Sequence, residues 1–159
     1  MVSWDCIFRN HYHNLAGEVA CYPKGVQMVF EVKSPILGFE DVNKMRLEKI
    51  DDLFMKLSND TDSSPIFTLI NPFALRQYDF EIPSALELLL EIKSQEDVLV
   101  GNIMVLQNPI EHSTINFLAP VIFNIKNKTM AQVVLDSTKY PQYGLTESID
   151  SYYKDQTKA

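Results

Sequence analysis

The sequence predicts a mainly β, single-domain fold, an antiparallel sheet curled into a barrel-like shape with one or two short helices. Three observations support this prediction. Apolar and polar residues alternate over many short segments of strand length. Only one segment has strong helical periodicity, and strands do not alternate with helices as a parallel sheet requires. The length of 159 residues suits one domain with one core.

The first half of the chain contains three predicted strands. Apolar and polar side chains alternate or form buried-strand runs in segments 28–33, 45–50 and 66–70. Ser34, Pro35 and Gly38 form a turn after the first strand, and Asn71-Pro72 ends the third. Four apolar residues fall at helical spacing before the polar loop 58–64, which predicts a short helix or helical turn. These are Ile50, Leu53, Phe54 and Leu57.

The best helix is predicted for residues 84–92. The preceding segment 78–82 alternates and runs into Pro83, a residue that favours a helix start. Ser84 and Glu87 have the spacing of a capping box. The predicted apolar face consists of Leu86, Leu89 and Leu90.

The second half of the chain contains further predicted strands and a polar end. The strands lie at 98–106, 115–118, 121–124 and 130–135. A bulge is expected at Gly101-Asn102 and a hairpin turn at 124–128. Residues 151–159 are expected to form a polar tail.

Residues 1–27 differ in composition from the rest of the chain. They hold both cysteines, the single tryptophan and two of the three histidines, and they carry no net charge. The formal charge of -7 therefore belongs to residues 28–159. Met28 opens a strand pattern, so we expect it to be the natural start. Residues 1–27 are then an extension outside the fold, either a real tail or upstream sequence, and residues 28–150 form the domain.

A metal site in this extension would have to use Cys6, His11, His13 and Cys21. Zinc sites usually bring their ligands in close pairs, and this spacing has none. A disulfide between the two cysteines is disfavoured in a reducing compartment. We therefore expect no metal and no cofactor.

Composition and motifs exclude several classes of function. The longest apolar runs, such as 117–123, are too short to span a bilayer, and no secretory leader opens the chain, so we expect a cytoplasmic protein. An acidic chain without basic clusters is not expected to bind nucleic acid directly. No hydrolase, nucleotide-binding or zinc-protease motif is present. His112, with neighbours Glu111 and Ser113 that cannot converge on it, is expected to be a solvent-facing loop residue.

Several motifs together resemble the flagellar assembly factor FliW family. Residues 30–40 (FEVKSPILGFE) resemble its opening strand and turn, and residues 67–73 (FTLINPF) are similar to its central F-x-L-x-N-P strand. Residues 115–124 and 131–136, followed by Tyr140-Pro141, match its C-terminal half in order and spacing. The resemblance covers residues 28–150, and residues 1–27 have no counterpart in it.

The resemblance implies a non-enzymatic partner switch. Proteins of this family bind newly made flagellin and also the RNA-binding translational regulator CsrA. Flagellin that accumulates occupies the factor and leaves CsrA free to repress flagellin translation, whereas export of flagellin releases the factor to bind CsrA. An acidic body suits a basic partner protein. The alternative is a small-molecule-binding or enzymatic β-barrel, which would need a deep closed pocket with convergent polar groups.

The resemblance also supplies candidate partner-binding residues. They are Asn71, Pro72, Tyr78, Asn116, Pro120, Asn124 and Gln132. Asn71 and Asn124 have a competing interpretation, because an asparagine at a strand end can cap a turn with its own amide. Phe117 and Leu118 are expected in the core. A strand edge that accepts an added peptide strand, such as a disordered flagellin terminus, is the sharper hypothesis for the partner surface.

Overall fold

A computed structural model describes residues 25–152. This part of the chain contains nine strands, one short α-helix and three short 3-10 turns. The strands are β1 (Gln27–Ser34), β2 (Lys44–Lys49), β3 (Phe54–Asn59), β4 (Ile66–Ile70), β5 (Val98–Val105), β6 (Thr114–Ile115), β7 (Val121–Asn124), β8 (Thr129–Gln132) and β9 (Glu147–Ser148). The helix is α1 (Ser84–Leu89), and the 3-10 turns are Pro72–Ala74, Gln95–Asp97 and Ile110–His112.

Seven strands form a closed ring in the order β4-β3-β2-β1-β8-β7-β5, and the pairing of β4 with β5 closes it. The two-residue strands β6 and β9 extend the sheet beyond β5. The mainly β, barrel-like prediction is confirmed. The ring is not wholly antiparallel, because β1 and β8 run parallel, with Glu31 opposite Thr129.

The strands bury side chains in two separate clusters. One cluster fills the ring and draws apolar residues from all seven of its strands, including Phe30 and Phe123, whose rings contact edge to face. The other cluster covers the outer face of β4, β5, β7 and β8. Successive residues of these strands alternate between clusters: Leu99 faces the ring interior, and Val98 and Val100 face the outer cluster. The outer cluster carries α1 and the C-terminal segments.

The predicted helix around residues 50–57 is wrong, because the segment forms a turn and β3. The Asp51 carboxylate accepts hydrogen bonds from the main-chain N–H groups of Leu53 (2.8 Å) and Phe54 (2.7 Å), which turns the chain between β2 and β3. Met55 and Leu57 then point into the ring. The helical spacing arose from a turn followed by a period-two strand.

The helix itself was predicted, but three of its details differ. It ends at Leu89 and not at residue 92. No side chain caps its start, because Ser84 is the first helical residue and its hydroxyl lies one position too late for a capping box. Leu86 and Leu90 are buried, whereas 43% of the Leu89 surface remains exposed. Leu88, on the opposite side, is 80% exposed.

The predicted bulge at Gly101-Asn102 is not observed. β5 is continuous there, and this dipeptide is where the strand changes neighbours: Val98–Gly101 pair with β7, and Asn102–Met104 pair with β4. The irregularity lies in β1 instead, where the register with β8 shifts between Val32 and Ser34.

Described residues on either side of the predicted domain bounds 28–150 contact the domain. β1 begins at Gln27, and the Gly25 N–H donates to the Lys49 carbonyl (3.0 Å), so the sheet starts before Met28. At the other end, Tyr152 packs against Phe117 (ring centroids 5.8 Å apart) and belongs to the fold. The remaining expectations for residues 1–24, including the metal-site and disulfide questions, and for 153–159 lie outside the described residues. Within 25–152, no helix is long and apolar enough to cross a membrane.

Candidate functional site

Asn71 and Pro72 build the turn that follows β4. The Asn71 side-chain oxygen accepts a hydrogen bond from the Phe73 N–H (3.0 Å), and its own N–H donates to the Leu53 carbonyl (2.8 Å). Pro72 occupies the first position of the 3-10 turn, where a missing N–H costs nothing. Both residues are buried. The turn-capping interpretation therefore describes Asn71.

Tyr78 and Asn116 meet through a third residue, Asn102, in the outer cluster. The Tyr78 hydroxyl donates to the Phe117 carbonyl (2.5 Å) and accepts from the Asn102 amide (3.1 Å). That amide also donates to the Asn116 carbonyl (2.9 Å). Burial in this apolar setting raises the pKa of the Tyr78 phenol far above its ordinary value. Asn102, for which the sequence predicts only a place in a bulge, is the centre of this network.

Asn124 joins the β7–β8 hairpin to the end of α1. Its side-chain N–H groups donate to the carbonyls of Leu90 (2.8 Å) and Glu91 (3.2 Å), which are left open at a helix end. Its oxygen accepts from the N–H groups of Lys126 (3.0 Å) and Asn127 (3.2 Å), which shapes the hairpin turn. This buried amide therefore caps a turn, as its competing interpretation states, and also holds a helix.

Pro120 and Gln132 lie on the neighbouring ends of β7 and β8. The Gln132 side-chain oxygen accepts from the Leu37 N–H (2.9 Å), and its amide donates weakly to the Ala119 carbonyl (3.4 Å). Pro120 is buried, and its carbonyl accepts from the Val133 N–H (3.1 Å). Gln132 thus holds the turn after β1 against the β7–β8 hairpin.

The seven predicted residues do not form one surface. The structure brings Tyr78 and Asn116 together through Asn102, and it leaves Asn124 and Gln132 at separate ends of the β7–β8 hairpin. Each side-chain amide among the seven has a partner within the chain. Their role in partner binding stays a prediction.

A groove that sequence reasoning missed lies beside α1 and encloses about 910 Å³. The segment Asp79–Ile82, the start of α1, residues 92–95 and the loop 139–142 line it. The sequence did carry a signal for this groove. Segment 78–82 alternates as a strand does, although it belongs to none of the described strands, and it opens the most acidic stretch of the chain.

One row of main-chain groups along the groove is held by tyrosine hydroxyls. The Asp79 N–H donates to the Tyr143 hydroxyl (2.8 Å), which in turn donates to the Asp79 carbonyl (2.8 Å). The Glu81 N–H donates to the Tyr140 hydroxyl (3.0 Å). The two tyrosine rings stack with centroids 5.8 Å apart. The segment is therefore fixed in place without belonging to the sheet.

The electrostatics of the groove are mainly acidic. Asp79, Glu81 and Glu87 line it, against Lys93 and Lys139. The Lys139 ammonium lies 3.1 Å from a Glu81 carboxylate oxygen, and this hydrogen bond raises the pKa of Lys139. Over residues 79–97 as a whole, six carboxylates face one lysine, so this stretch carries most of the net negative charge.

Arg76 fastens the C-terminal segment behind the groove. Its guanidinium donates to the Glu147 carboxylate (3.1 Å) and the Tyr152 hydroxyl (3.1 Å), and it lies 5.0 Å from the Tyr143 ring centroid. Partial burial, and then the hydrogen bond to Glu147, raise the pKa of Tyr152 to about 12. Tyr143, which holds the groove wall, is thereby packed against a fixed cation.

No cluster suited to a metal ion is found among the described residues. Within 25–152, no group of three or more His, Cys, Asp or Glu side chains is placed to hold one. His112 is exposed in the turn Ile110–His112, as the sequence predicts.

Comparisons with known proteins agree with the motifs. The family model described as FliW protein matches residues 13–145. The chain is 62% identical over 130 residues to flagellar assembly factor FliW 2 of Wolinella succinogenes, covering 82% of this chain and 96% of that protein. It is 52% identical over 128 residues to flagellar assembly factor FliW of Sulfurimonas denitrificans, covering 80% and 99%.

A solved structure has the same fold. The crystal structure of a flagellar assembly factor FliW superposes with a TM-score of 0.70 at 23% identity, covering 76% of this chain and 84% of that one. The family match begins at residue 13, upstream of the predicted start of the domain. The motifs, the closed ring of strands and these matches together show that the chain belongs to the FliW family.

Proposed function

We propose that the chain is a cytoplasmic, non-enzymatic flagellar assembly factor that binds flagellin and the translational regulator CsrA. Membership of the FliW family is the observation that carries this proposal, since the relatives are named flagellar assembly factors. Flagellin that accumulates occupies the factor, and its export frees the factor to bind CsrA.

The physical basis of such a switch is linkage through a shared protein. When one partner occupies the factor, the concentration available to the other falls, and the binding equilibria couple without any chemical step. The net charge of -7 favours a basic RNA-binding protein as one partner. The same charge repels the phosphate backbone of the messenger itself.

The interior of the ring supports a binding protein over the alternative of a ligand-binding or enzymatic barrel. Side chains from all seven ring strands fill it, among them Phe30, Leu57 and Phe123, each fully buried. A small-molecule barrel keeps an enclosed cavity with convergent polar groups. The groove beside α1, by contrast, lies outside the ring and is open.

A three-way competition assay tests the proposal. The full-length chain is mixed with flagellin and CsrA from the same bacterium, and complexes are separated by size-exclusion chromatography. We expect a complex with each partner and a fall in CsrA binding as flagellin is added. Binding of CsrA should also weaken as salt rises, because the attraction between opposite charges is screened. If the chain binds neither flagellin nor CsrA, the proposed function is refuted.

A further inference from the structure

We propose that the groove beside α1 is the docking site for an extended peptide segment of a partner protein in which apolar and basic residues alternate. The segment would add as a strand along Phe80–Ile82. This inference rests on the proposed function for the identity of the partner, but the site itself is argued from the contacts of the described residues.

The main chain of the groove wall has one occupied edge and one open edge. In an extended chain, the N–H and C=O groups of one residue point to the same edge, and those of the next residue point to the opposite edge. Asp79 directs both its N–H and its C=O to the Tyr143 hydroxyl, and Glu81 directs its N–H to the Tyr140 hydroxyl. The N–H and C=O groups of Phe80 and Ile82 form no hydrogen bond with any residue from 25 to 152. Such a row of unpaired groups is what an added strand pairs with.

The side chains that line the groove determine the chemistry of the peptide that can bind there. Phe80 and Ile82 are half-buried and pack on the outer cluster, so the groove has an apolar floor. An added strand presents alternate side chains to one face, and apolar ones match that floor. The exposed carboxylates Asp79 and Glu87 border it together with Lys93, while the third carboxylate, Glu81, is paired with Lys139. Lysine or arginine at the intervening positions complements this charge.

Three variants of exposed residues, one of them a control, separate the effect of charge from the effect of shape. Glu87→Lys reverses a carboxylate on the groove wall, and Glu111→Lys makes the same change in the exposed turn away from the groove. Ser84→Trp places a large ring in the groove. The Ser84 hydroxyl caps nothing, so the fold does not depend on it. Thermal melts followed by circular dichroism show that each variant is folded before binding is measured.

The first measurement uses a probe that does not depend on the natural partners. A fluorescein-labelled peptide of alternating valine and lysine is titrated with the full-length chain up to millimolar concentration, and anisotropy is recorded. We expect saturable binding, weakened about tenfold or more by Glu87→Lys and abolished by Ser84→Trp, with Glu111→Lys unchanged within about twofold. An alternating valine and glutamate peptide should not bind. No binding of the lysine peptide, or binding that is insensitive to Ser84→Trp, would overturn the site.

The second measurement locates the bound strand. Amide hydrogen exchange is followed by NMR, and the N–H groups of Phe80 and Ile82 should exchange more slowly when the peptide is bound, because they become paired. Protection elsewhere with these two amides unchanged would contradict strand addition.

The natural partners decide the link to the proposed function. If CsrA or flagellin binds the wild-type chain and Ser84→Trp abolishes binding of one of them, the groove is its docking site. If both bind equally well to wild type and Ser84→Trp, the groove assignment is wrong while the proposed function stands. If neither partner binds the wild type, the proposed function fails, and the peptide titration still decides whether the groove binds a basic strand.

Discussion

The replacement Tyr78→Phe removes one oxygen atom from the most enclosed polar network of the structure. The ring keeps its packing against Phe73, Phe117 and Tyr143, whose centroids lie 6.1, 5.5 and 4.7 Å away. Only the hydroxyl is lost, so no cavity of the size of a side chain forms. The change in the free energy of unfolding therefore reports the two hydrogen bonds of this oxygen.

The expected loss of stability follows from what is left without a partner. The Phe117 carbonyl loses its donor from the phenol, and Asn102 loses one of two acceptors, although its amide still donates to the Asn116 carbonyl. Leaving one buried polar group unpaired costs roughly 1–3 kcal/mol. The Asn102 side-chain oxygen already has no partner among the described residues. We expect Tyr78→Phe to lower the free energy of unfolding by about 2 kcal/mol.

Urea unfolding followed by circular dichroism measures this loss, and the thermal midpoint should fall by roughly 6–10 °C. The matched control is Tyr140→Phe, which removes a hydroxyl bonded to the N–H of exposed Glu81 and should cost less than about 1 kcal/mol because water can replace it. A loss below about 0.5 kcal/mol for Tyr78→Phe, or an equal loss in both variants, would refute the reasoning.

Three further predictions test the helix face, the attachment of the C-terminal segment and the two phenols whose pKa is raised. Leu90→Ala should lower the free energy of unfolding, measured in urea, by about 2–5 kcal/mol, since this side chain is fully buried. Leu88 is 80% exposed, so Leu88→Ala should change it by no more than about 0.5 kcal/mol. Equal losses in the two variants would contradict the assigned buried face of the helix. Arg76→Lys removes the planar guanidinium that bonds Glu147 and Tyr152 and packs on the aromatic rings. Amide hydrogen exchange at residues 147–152, followed by mass spectrometry, should become faster, while exchange in β1–β3 is unaffected. Unchanged exchange at 147–152 would contradict this role of Arg76. The pKa of Tyr152 is raised to about 12 in the folded chain, and that of Tyr78 is raised more. Between pH 10 and 12 the unfolded chain therefore binds fewer protons than the folded chain, so the urea concentration at the unfolding midpoint should fall as the pH rises. A constant midpoint across this range would contradict the raised pKa values.

Local patterns predicted the strands best. The run 66–70 corresponds to β4 residue for residue, and the predicted turn 124–128 joins β7 to β8, with the Lys128 N–H bonded to the Asn124 carbonyl (2.9 Å). In both cases the signal lies within a few neighbouring residues. Hydrophobic periodicity and turn residues report this local level directly.

Segment 50–57 shows where periodicity misleads. Its apolar residues match a helix only if the turn at Asp51 is counted as part of the element. Once Asp51 is taken as the turn, Met55 and Leu57 show the period of two that β3 has. A short window holding a turn and a strand can imitate helical spacing, and tertiary pairing decides between them.

The groove and the network around Asn102 were beyond prediction for a different reason. Both depend on residues far apart in the sequence: Tyr140 and Tyr143 reach back to the segment at 79–81, and Asn102 joins Tyr78 to residue 116. A motif indicates that a residue matters and does not show which neighbours its polar atoms meet. The motif asparagines Asn71 and Asn124 therefore appeared as candidate contacts, while their amides hold turns.

The parallel seam between β1 and β8 has a consequence for how this chain is made. It joins Glu31 to Thr129, so the ring is incomplete until a strand near the start of the described chain pairs with one near its end. During synthesis the β1–β3 meander can form early, but the edge of β1 stays open until β8 has left the ribosome. Contacts so distant in sequence slow folding, and open edges invite pairing with other chains. We expect a nascent chain that stops before residue 129 to be a sheet with an exposed β1 edge, and that edge to be covered once β8 (Thr129–Gln132) is present.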